Sequence, residues 1–562
     1  MTDHSGTPSG EVTPGGGKGE PGLTTVVGAS AAGTAFEWYD FFIFGSLTTI
    51  IARHFYADVG EATSYILALL TFGVGFVVRP LGALVFGWFG DKTGRKTTFL
   101  VTITLMGVAT VAIGLLPDYD QIGIAAPILL LFMRVLQGFA LGGEYGGAAI
   151  YVAEHAPVKR RGFLTGWIQT TAAIGLIMAL SIILITRAIL GTEAFDEWGW
   201  RIPFLLSFFL LVISLWIRLK LHESPAFKRM VAESTERQAP FRESFGTWKI
   251  GKFVLIALVG IMFAQGAVWY AGYFYTRFFM ERVLKVEVAT VDQLILAVTL
   301  ASAILYVFFG WLSDRVGRKP VMIGGMVLFL LAVFPGFHAL TNAANPALAR
   351  AQASAPVTVV ADPATCAVQF DPVGKTAFAS SCDLAKSVLS NAGVSYDNVA
   401  AAAGTLAVVR IGAVEVASLE GTGLDAPALK AARADVDRRI RAALTQAGYP
   451  ASADPAAVNL PAVFAILMVF IVAATAVYGP QAAALVELFP TRVRYTAMSL
   501  PYNVGTGWVG GLLPAASFAL VAWSGNIYFG LWYAVGFTGV AAIVALLFLP
   551  ETRGRDLNTI GD

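Results

Sequence analysis

Long apolar runs, separated by short polar stretches, cover most of this chain. At about 1.5 Å of rise per residue, a helix formed from any one of these runs could cross about 30 Å of hydrocarbon. The pattern therefore predicts an all-α polytopic membrane protein. Its twelve predicted transmembrane helices lie at residues 24–51, 64–90, 98–116, 126–152, 163–190, 201–220, 253–279, 291–312, 320–340, 460–486, 496–523 and 527–549.

Lysine and arginine are concentrated in the loops after the even-numbered helices and in the C-terminal tail. The short loops after odd-numbered helices hold few of them. By the positive-inside rule, both termini are predicted to be cytoplasmic. Residues 1–22, rich in Gly, Pro and Ser, are predicted to form a disordered cytoplasmic tail. Residues 221–252 are predicted to be a cytoplasmic linker, and residues 551–562 a cytoplasmic C-terminal tail.

One long segment, residues 341–459, breaks the apolar pattern between helices 9 and 10. It is rich in alanine and mixed in charge, and the topology places it outside the cytoplasm. Helical spacing predicts a solvated helix at 427–446. The segment holds Cys366 and Cys382, which we expect to form a disulfide worth roughly 3 kcal/mol in this oxidising compartment. Two free thiols in a loosely ordered insert are the alternative.

Composition narrows the classes of function. Of 562 residues, 56% are hydrophobic and 14% are charged, whereas soluble proteins have about 25% charged residues. A net charge of +2 gives no reason to expect nucleic acid as a partner. Two cysteines and five histidines argue against a Cys-rich metal site. No phosphate-binding loop of the GxxxxGK[ST] type occurs, so we expect no ATP-driven transport. HExxH and CxxC motifs are absent as well, and we expect no enzyme activity, no metal and no cofactor.

The sequence repeats itself at two offsets. Residues 87–96 (GWFGDKTGRK) return as 310–319 (GWLSDRVGRK), 223 positions later, and the acidic motif at Glu154 returns at Glu487, 333 positions later. The difference between the offsets is close to the length of the polar segment. We therefore predict two six-helix halves, of which the second is interrupted by an insertion; the halves are residues 23–220 and residues 253–340 with 460–550.

The repeated loop after helices 2 and 8 sets an acid beside basic residues at a helix end. Charges placed there can bridge to a neighbouring helix, and the bridge can break when one face of the protein opens. We therefore predict gating roles for both copies. The alternative is simple positive-inside anchoring. The predicted gating residues are Gly87, Asp91, Gly94, Arg95, Lys96, Gly310, Asp314, Gly317, Arg318 and Lys319.

The GxxxDxxGRK loop resembles the signature loop of the major facilitator superfamily. Further motifs begin at Glu37 (EWYDF), Arg79 (RPLG), Arg134 (RVLQGFALGGE) and Glu487 (ELFP), and they resemble the metabolite:proton symporter family. The resemblance implies a bacterial inner-membrane symporter that takes up a small carboxylate or zwitterion with H⁺. Substrate classes of such families include 2-oxoglutarate, citrate, shikimate, proline and betaines.

Several ionisable residues lie inside the predicted helices, where they are costly and usually mark a transport pathway. Asp40 is our first candidate for the proton carrier, Glu37 the second, and Glu144 a further one. Arg79 and Arg134 could receive a substrate carboxylate in bidentate fashion. An acid near Arg79 could release that arginine for substrate when it takes up a proton. A permanent salt bridge between helices is the alternative.

Polar and aromatic residues of the helices complete the predicted substrate site. Trp269 and Tyr273 are four apart and face one way on a helix. They could line the cavity and offer cation–π contacts to a quaternary ammonium. The other predicted contributors are Tyr39, Gln137, Gln265, Tyr502 and Asn503.

Together these features predict proton-coupled symport of a small mono- or dicarboxylate, by alternating access with a site between the halves. The proton gradient would supply the energy, and the protein would work as a monomer in the lipid bilayer. A proline or betaine symporter is the alternative. A nutrient sensor that uses the insert is an alternative from a different class.

Overall fold

The computed structural model describes residues 23–57, 61–93, 95–143, 145–219, 246–367, 378–491 and 493–557. Within them, a helix lies at each of the twelve predicted positions. The N-terminal half, hereafter the N-half, consists of α1 (Leu23–Ser46), α2 (Glu61–Thr93), α3 (Arg95–Leu115), α4 (Ala125–Leu141), α5 (Arg161–Leu190) and α6 (Arg201–Leu219). Shorter helices include Thr48–Phe55 and Tyr145–His155. The predicted N-terminal tail and most of the predicted linker lie outside the described residues.

The C-terminal half, hereafter the C-half, repeats the arrangement. It consists of α7 (Trp248–Val283), α8 (Val288–Val316), α9 (Arg318–Ala344), α10 (Leu460–Tyr478), α11 (Arg494–Ser524) and α12 (Leu531–Phe548). Two π-helical segments interrupt α7, a third forms its C-terminal end, and one interrupts α11. Such segments widen the helix locally and often occur at functional sites.

Nine helices of the described residues are long and apolar enough to cross a membrane. The number is ten if the bent pair Thr192–Gly199 and Arg201–Ile217 forms one span. Leu100–Leu115 is a shorter apolar helix. The count of twelve spans therefore stays a prediction. Large apolar side chains are exposed on the outer helix faces, as lipid contact requires, and they include Phe132, Phe209, Leu331 and Ile543.

The predicted all-α class is wrong for the segment between α9 and α10, because this insert contains a sheet. Its strands are β1 (Val357–Ala361), β2 (Tyr396–Ala400), β3 (Val408–Ile411) and β4 (Val414–Ala417), in the order β2-β1-β3-β4. β1 pairs parallel with β2 and antiparallel with β3. Val357, Val359 and Ala361 alternate inward, and this period of two favours a strand over a helix.

Helices cover the sheet and anchor the insert. They are Pro346–Ser354, Ser381–Ala392 and Ala426–Gln446, the last close to the predicted helix at 427–446. The insert packs on the C-half: Lys285 Nζ donates to Asn391 O at 3.2 Å, and Tyr396 N donates to Gly525 O at 2.9 Å. Its two chain ends meet where Asn459 N donates to Ala343 O at 2.9 Å.

A disulfide joins Cys366 and Cys382, 16 positions apart, in the insert. It links the segment after β1 to the helix that follows. In the chain-entropy description, closing a loop of this length stabilises the folded insert by about 3 kcal/mol. We expect Cys366→Ser with Cys382→Ser to lower the melting temperature of the insert while the membrane helices melt as before. Thermal melting of the wild type and the double variant, followed by circular dichroism, checks this prediction. An unchanged melting temperature of the insert would contradict it.

Candidate functional site

The centre of the molecule, where α2 meets α11, holds a buried arginine. Arg79 is fully buried, and its Nε donates to Asn503 Oδ1 at 3.1 Å. Asn503 Nδ2 donates to Gly142 O at 3.1 Å, which extends the contact between the halves. Both amino groups of Arg79, Nη1 and Nη2, have no hydrogen-bond partner among the described residues. Two adjacent free donors of a planar guanidinium match a carboxylate in bidentate geometry.

Aromatic rings surround this guanidinium. Its central carbon lies 5.9 Å from the ring centroid of Trp38, 5.8 Å from that of Phe76 and 5.7 Å from that of Tyr502. The buried hydroxyl of Tyr270 has no hydrogen-bond partner in the described part of the chain. The rings of Tyr270 and Phe76 pack in an edge-to-face arrangement, with their centroids 5.3 Å apart. The Tyr270 hydroxyl lies near the Arg79 guanidinium without forming a hydrogen bond of standard geometry to it. The site therefore combines one cation, a nearby hydroxyl and ring faces from both halves.

A cluster of buried rings continues from this point into the C-half. Trp269 lies 6.0 Å from Phe42, 5.0 Å from Tyr273 and 6.3 Å from Tyr478, measured between ring centroids. Its Nε1 donates to the hydroxyl of Tyr306 at 2.8 Å. The predicted pair Trp269 and Tyr273 is thus packed at the interface between halves. We call Phe42, Trp269, Tyr273, Tyr306 and Tyr478 the aromatic cluster.

A second polar network lies within the N-half and leads to Asp40. Arg134 Nη1 donates to Gln137 Oε1 at 2.7 Å, and Gln137 Nε2 donates to Thr110 Oγ1 at 2.7 Å. Thr110 and Ser207 lie beside the carboxyl group of Asp40. All of these groups are buried. Thr110 Oγ1 itself donates to Met106 O at 2.9 Å. The network thus brings neutral groups bonded to an arginine next to the predicted proton carrier.

Arg134 differs from Arg79 in how it is held. Its Nη2 donates to Phe72 O at 3.1 Å, and its guanidinium carbon lies 4.9 Å from the ring of Phe41 and 4.2 Å from that of Phe44. Its amino groups are therefore occupied by the protein. Neither Arg79 nor Arg134 forms an ion pair with a carboxylate among the described residues, so the predicted pairing of an acid with Arg79 is not what the structure has.

Three other predicted site residues are buried but differ in their contacts. Tyr39 donates its hydroxyl to Pro203 O at 2.7 Å, which favours a packing role between α1 and α6. Glu37 is buried on α1. Gln265 is buried, and its Oε1 has no hydrogen-bond partner in the described residues. Glu144 lies outside the described residues, so its predicted role in proton coupling stays a prediction.

Charged residues join the halves at the end of the molecule where α8 ends and α9 begins. Arg161 Nη1 of the N-half donates to Glu487 Oε1 of the C-half at 2.9 Å. Arg494 Nη1 of the C-half donates to Glu154 Oε1 of the N-half at 3.1 Å. Each acid of the 333-residue repeat thus pairs with the arginine of the other copy. We call these two contacts the reciprocal pairs.

The predicted gating loop after α8 takes part in the same closure. Asp314 accepts from the backbone N–H groups of Gly162 at 2.9 Å and Phe163 at 2.7 Å, at the first turn of α5 in the other half. A carboxylate is stabilised at a helix N-terminus by these donors. Arg318 donates to Glu487 Oε1 at 3.2 Å and completes a buried cluster.

Glycines allow the close approach at this loop. A Cβ atom at Gly310 would overlap the carbonyl of Gly162 in the opposing helix. Gly317 has a φ of 114°, which other residues rarely adopt. It leads into α9, where Glu551 caps the backbone N–H of Arg318 at 2.9 Å and of Lys319 at 3.1 Å.

The first copy of the gating loop is less completely described. Gly87 is buried opposite Tyr495 of the C-half. Asp91 lies in the last turn of α2, and Arg95 and Lys96 begin α3. Gly94 lies outside the described residues. The gating role of this copy stays a prediction.

The charged residues Glu154, Arg161, Glu487, Arg494 and Glu551 were absent from the predicted site. A signal was present for Glu154 and Glu487, because the repeat at an offset of 333 residues includes both acids. The sequence could not show that the acid of each copy of this repeat pairs with the arginine of the other copy.

A different set of contacts closes the opposite end. Arg277 donates to Asp292 Oδ1 at 2.9 Å and to Glu281 Oε2 at 3.2 Å. Thr49 of the N-half donates to Glu281 Oε1 at 3.0 Å. Asp292 and Asp314 lie near opposite ends of α8. The structure therefore has contacts between the halves on both sides of the central arginine.

Comparison with known proteins assigns this architecture. The sequence model of the family described as "Sugar (and other) transporter" matches residues 25–246 and 442–562. The chain belongs to this transporter family. The unmatched stretch within the C-half, residues 247–441, includes most of the insert.

Relatives with curated names share part of the chain. It is 36% identical over 331 residues to the glycine betaine/proline/ectoine/pipecolic acid transporter OusA of Dickeya dadantii, covering 57% of this chain and 65% of that protein. It is 35% identical over 326 residues to the proline/betaine transporter of Escherichia coli K12, covering 56% and 64%. The chain thus spans just under two thirds of these relatives.

Solved structures share the fold. The proton:xylose symporter XylE bound to 6-bromo-6-deoxy-D-glucose aligns with a TM-score of 0.57 at 16% identity, over 95% of this chain and 98% of that one. A D-xylose-proton symporter aligns with a TM-score of 0.57 at 17% identity, over 95% and 100%. The predicted major facilitator fold is thus confirmed. The comparisons give no support to the sensor alternative.

Proposed function

We propose that this transporter-family member is a secondary active transporter that carries a small zwitterion of the proline or betaine type together with a proton. The observation that carries the proposal is Arg79, a fully buried arginine at the interface of the halves with both amino groups free among the described residues. An uncompensated buried charge is costly. A substrate carboxylate would compensate it and gain two charge-assisted hydrogen bonds.

Two features favour a zwitterion over the mono- or dicarboxylate that the sequence pointed to. Both amino groups of Arg134 are occupied by Gln137 and Phe72. Of the two predicted arginines, Arg79 alone has both amino groups without a hydrogen-bond partner among the described residues, and this pair of donors matches one carboxylate. The aromatic cluster offers ring faces to an ammonium group, worth about 0.5–2 kcal/mol per contact. The relatives named as proline and betaine transporters support the same substrate class.

Asp40 is the proposed proton carrier. Its Oδ1 is buried without a hydrogen bond among the described residues, beside Thr110 and Ser207. Protonation of this acid would change the hydrogen bonds of Thr110, and through Gln137 those of Arg134. Arg134 packs against Phe72, and Phe72 lies 5.1 Å from Phe76 at the substrate arginine. Proton uptake and substrate binding would thus be coupled through one packed network.

The contacts at the two ends support a mechanism of alternating access. Opening the end at Asp314 requires the reciprocal pairs to separate, while the contacts of Arg277 and Thr49 keep the other end closed. We place the protein in a bacterial inner membrane with both termini in the cytoplasm. The Asp314 end would then face the cytoplasm and the insert would face outside.

Uptake into proteoliposomes tests the proposal. With an inward proton gradient, we expect accumulation of labelled glycine betaine or proline, and little accumulation of 2-oxoglutarate, citrate or shikimate. Asp40→Asn is expected to abolish gradient-driven accumulation while exchange of substrate continues, because the neutral amide cannot carry the proton. Asp120→Asn, which changes an exposed acid, is the matched control. Accumulation that ignores both the gradient and the Asp40 substitution would rule out proton symport.

A further inference from the structure

A cleft of about 310 Å³ lies where the insert meets the end of α11. The insert contributes β1, β2, the disulfide region and Lys386, and the membrane half contributes Trp523. Its volume is at the lower end of the range of small-molecule sites. Among its lining residues, Trp523 alone lies in a stretch that the family model matches, and none of them belongs to the predicted central site.

We propose that this cleft binds a small molecule with a carboxylate group, held by Lys386 and packed against Trp523. The choice of ligand rests on the proposed function, because the cargo proposed for Arg79 has the same chemistry. The cleft would be a second site for this class of molecule, outside the transport pathway, on the predicted extracytoplasmic side.

Lys386 supplies the charge that a carboxylate needs. Its ammonium group forms no hydrogen bond or ion pair with the described residues, while the nearby Asp383 is engaged by the N–H of Ala367 at 2.8 Å. Partial burial lowers the pKa of Lys386, and the attraction of Asp383 opposes this shift. A bound carboxylate would compensate the partly desolvated charge.

Other lining residues supply an apolar surface. Trp523 is 59% exposed, and its ring centroid lies 5.7 Å from that of Phe529. Val399 of β2 adds a half-exposed apolar side chain. Asn398 Nδ2 donates to Ser524 O at 3.3 Å and holds the two walls together. The cleft thus has a cationic side and an aromatic side, which suits a small carboxylate with an apolar or quaternary ammonium part.

The position of the cleft gives it a route to the transport site. Trp523 and Asn503, which contacts Arg79, lie on the same helix α11, about 30 Å apart at 1.5 Å per residue. A ligand between the insert and Trp523 would favour one position of the helix end. Occupancy would therefore change the rate of transport without a contact to the transported molecule.

Equilibrium binding to the full chain in nanodiscs tests this inference, with radiolabelled glycine betaine and propionate as probes. Wild type is expected to bind two molecules of betaine, and Arg79→Met one. Lys386→Gln is expected to weaken the remaining site about tenfold or more, since a charge-assisted contact is lost. Lys386→Arg should restore binding. Lys430→Gln, at an exposed lysine of the insert, is the control.

The outcomes separate this inference from the proposed function. Propionate binding that depends on Lys386 shows that the carboxylate alone suffices, whereas betaine binding alone shows that the ammonium part is needed; both support the cleft. If Arg79→Met keeps both sites and Lys386→Gln removes one, the central site is wrong and the cleft stands. If the Lys386→Gln variant binds both probes as the wild type does, the proposed binding site in the cleft is wrong, whatever the result for Arg79→Met.

Discussion

Replacing Arg79 with methionine is expected to lower zwitterion uptake by about a hundredfold or more. Loss of one partner of a buried charge pair costs about 2–5 kcal/mol of binding, and about 2.8 kcal/mol corresponds to a hundredfold. Because the free guanidinium is itself a desolvated charge, its removal is not expected to lower the melting temperature. Initial uptake rates and thermal melting of the same preparation check both statements.

The melting measurement distinguishes substrate binding from a structural role. Arg350→Met makes the same chemical change at an exposed site of the insert and should leave uptake unchanged. Arg79→Lys keeps a charge but loses the planar pair of donors, so partial activity is expected. A joint fall of uptake and melting temperature in Arg79→Met would show that Arg79 mainly holds the helices together.

Replacing Glu487 with glutamine is expected to open the end of the molecule near Asp314. The Glu487 side chain is fully buried and accepts hydrogen bonds from Arg161, Arg318 and Thr552. Removing its charge leaves two buried arginines without this partner, which typically costs about 3–5 kcal/mol. The cost falls on the closed arrangement, because opening lets water reach Arg161. The equilibrium should therefore move toward the open form.

A reporter cysteine makes this shift measurable. Thr165 is buried on α5, one turn beyond Arg161. In a Thr165→Cys background, we expect Glu487→Gln to raise the rate of maleimide labelling about tenfold or more. Glu415→Gln, at an exposed acid that pairs with Arg410, should leave the rate unchanged because surface pairs contribute little. Equal labelling rates in the two variants would mean that the cluster does not control opening.

The positions of the helices and the placement of Arg79 inside one of them could be predicted because both follow from local sequence. Apolar length fixes where a helix can cross a membrane, and a charge inside such a run needs a reason. The partner of that charge could not be predicted. Arg79 and Asn503 are 424 positions apart, so their contact depends on how the two halves meet.

The sheet of the insert was missed because its strands are short. Val408–Ile411 and Val414–Ala417 have four residues each and lie in an alanine-rich segment. The hairpin between them was signalled by Gly412, which has a φ of 57°.

Arg134 and Arg79 look alike in the sequence, because both are arginines inside predicted transmembrane helices. Only the folded structure shows that Phe41 and Phe44 pack around Arg134 and that both of its amino groups are bonded, whereas both amino groups of Arg79 lack a partner among the described residues.

The insert leaves the membrane domain and returns to it at almost the same point, since Asn459 N donates to Ala343 O. A whole α/β module can therefore have been added to an ancestral short loop by a single genetic event, without disturbing the helices on either side. Because its two chain ends lie side by side, the module could also be transferred to another protein. Grafted between the corresponding helices of a related transporter that lacks bulk outside the bilayer, it would provide a fixed feature for aligning particle images in electron cryomicroscopy.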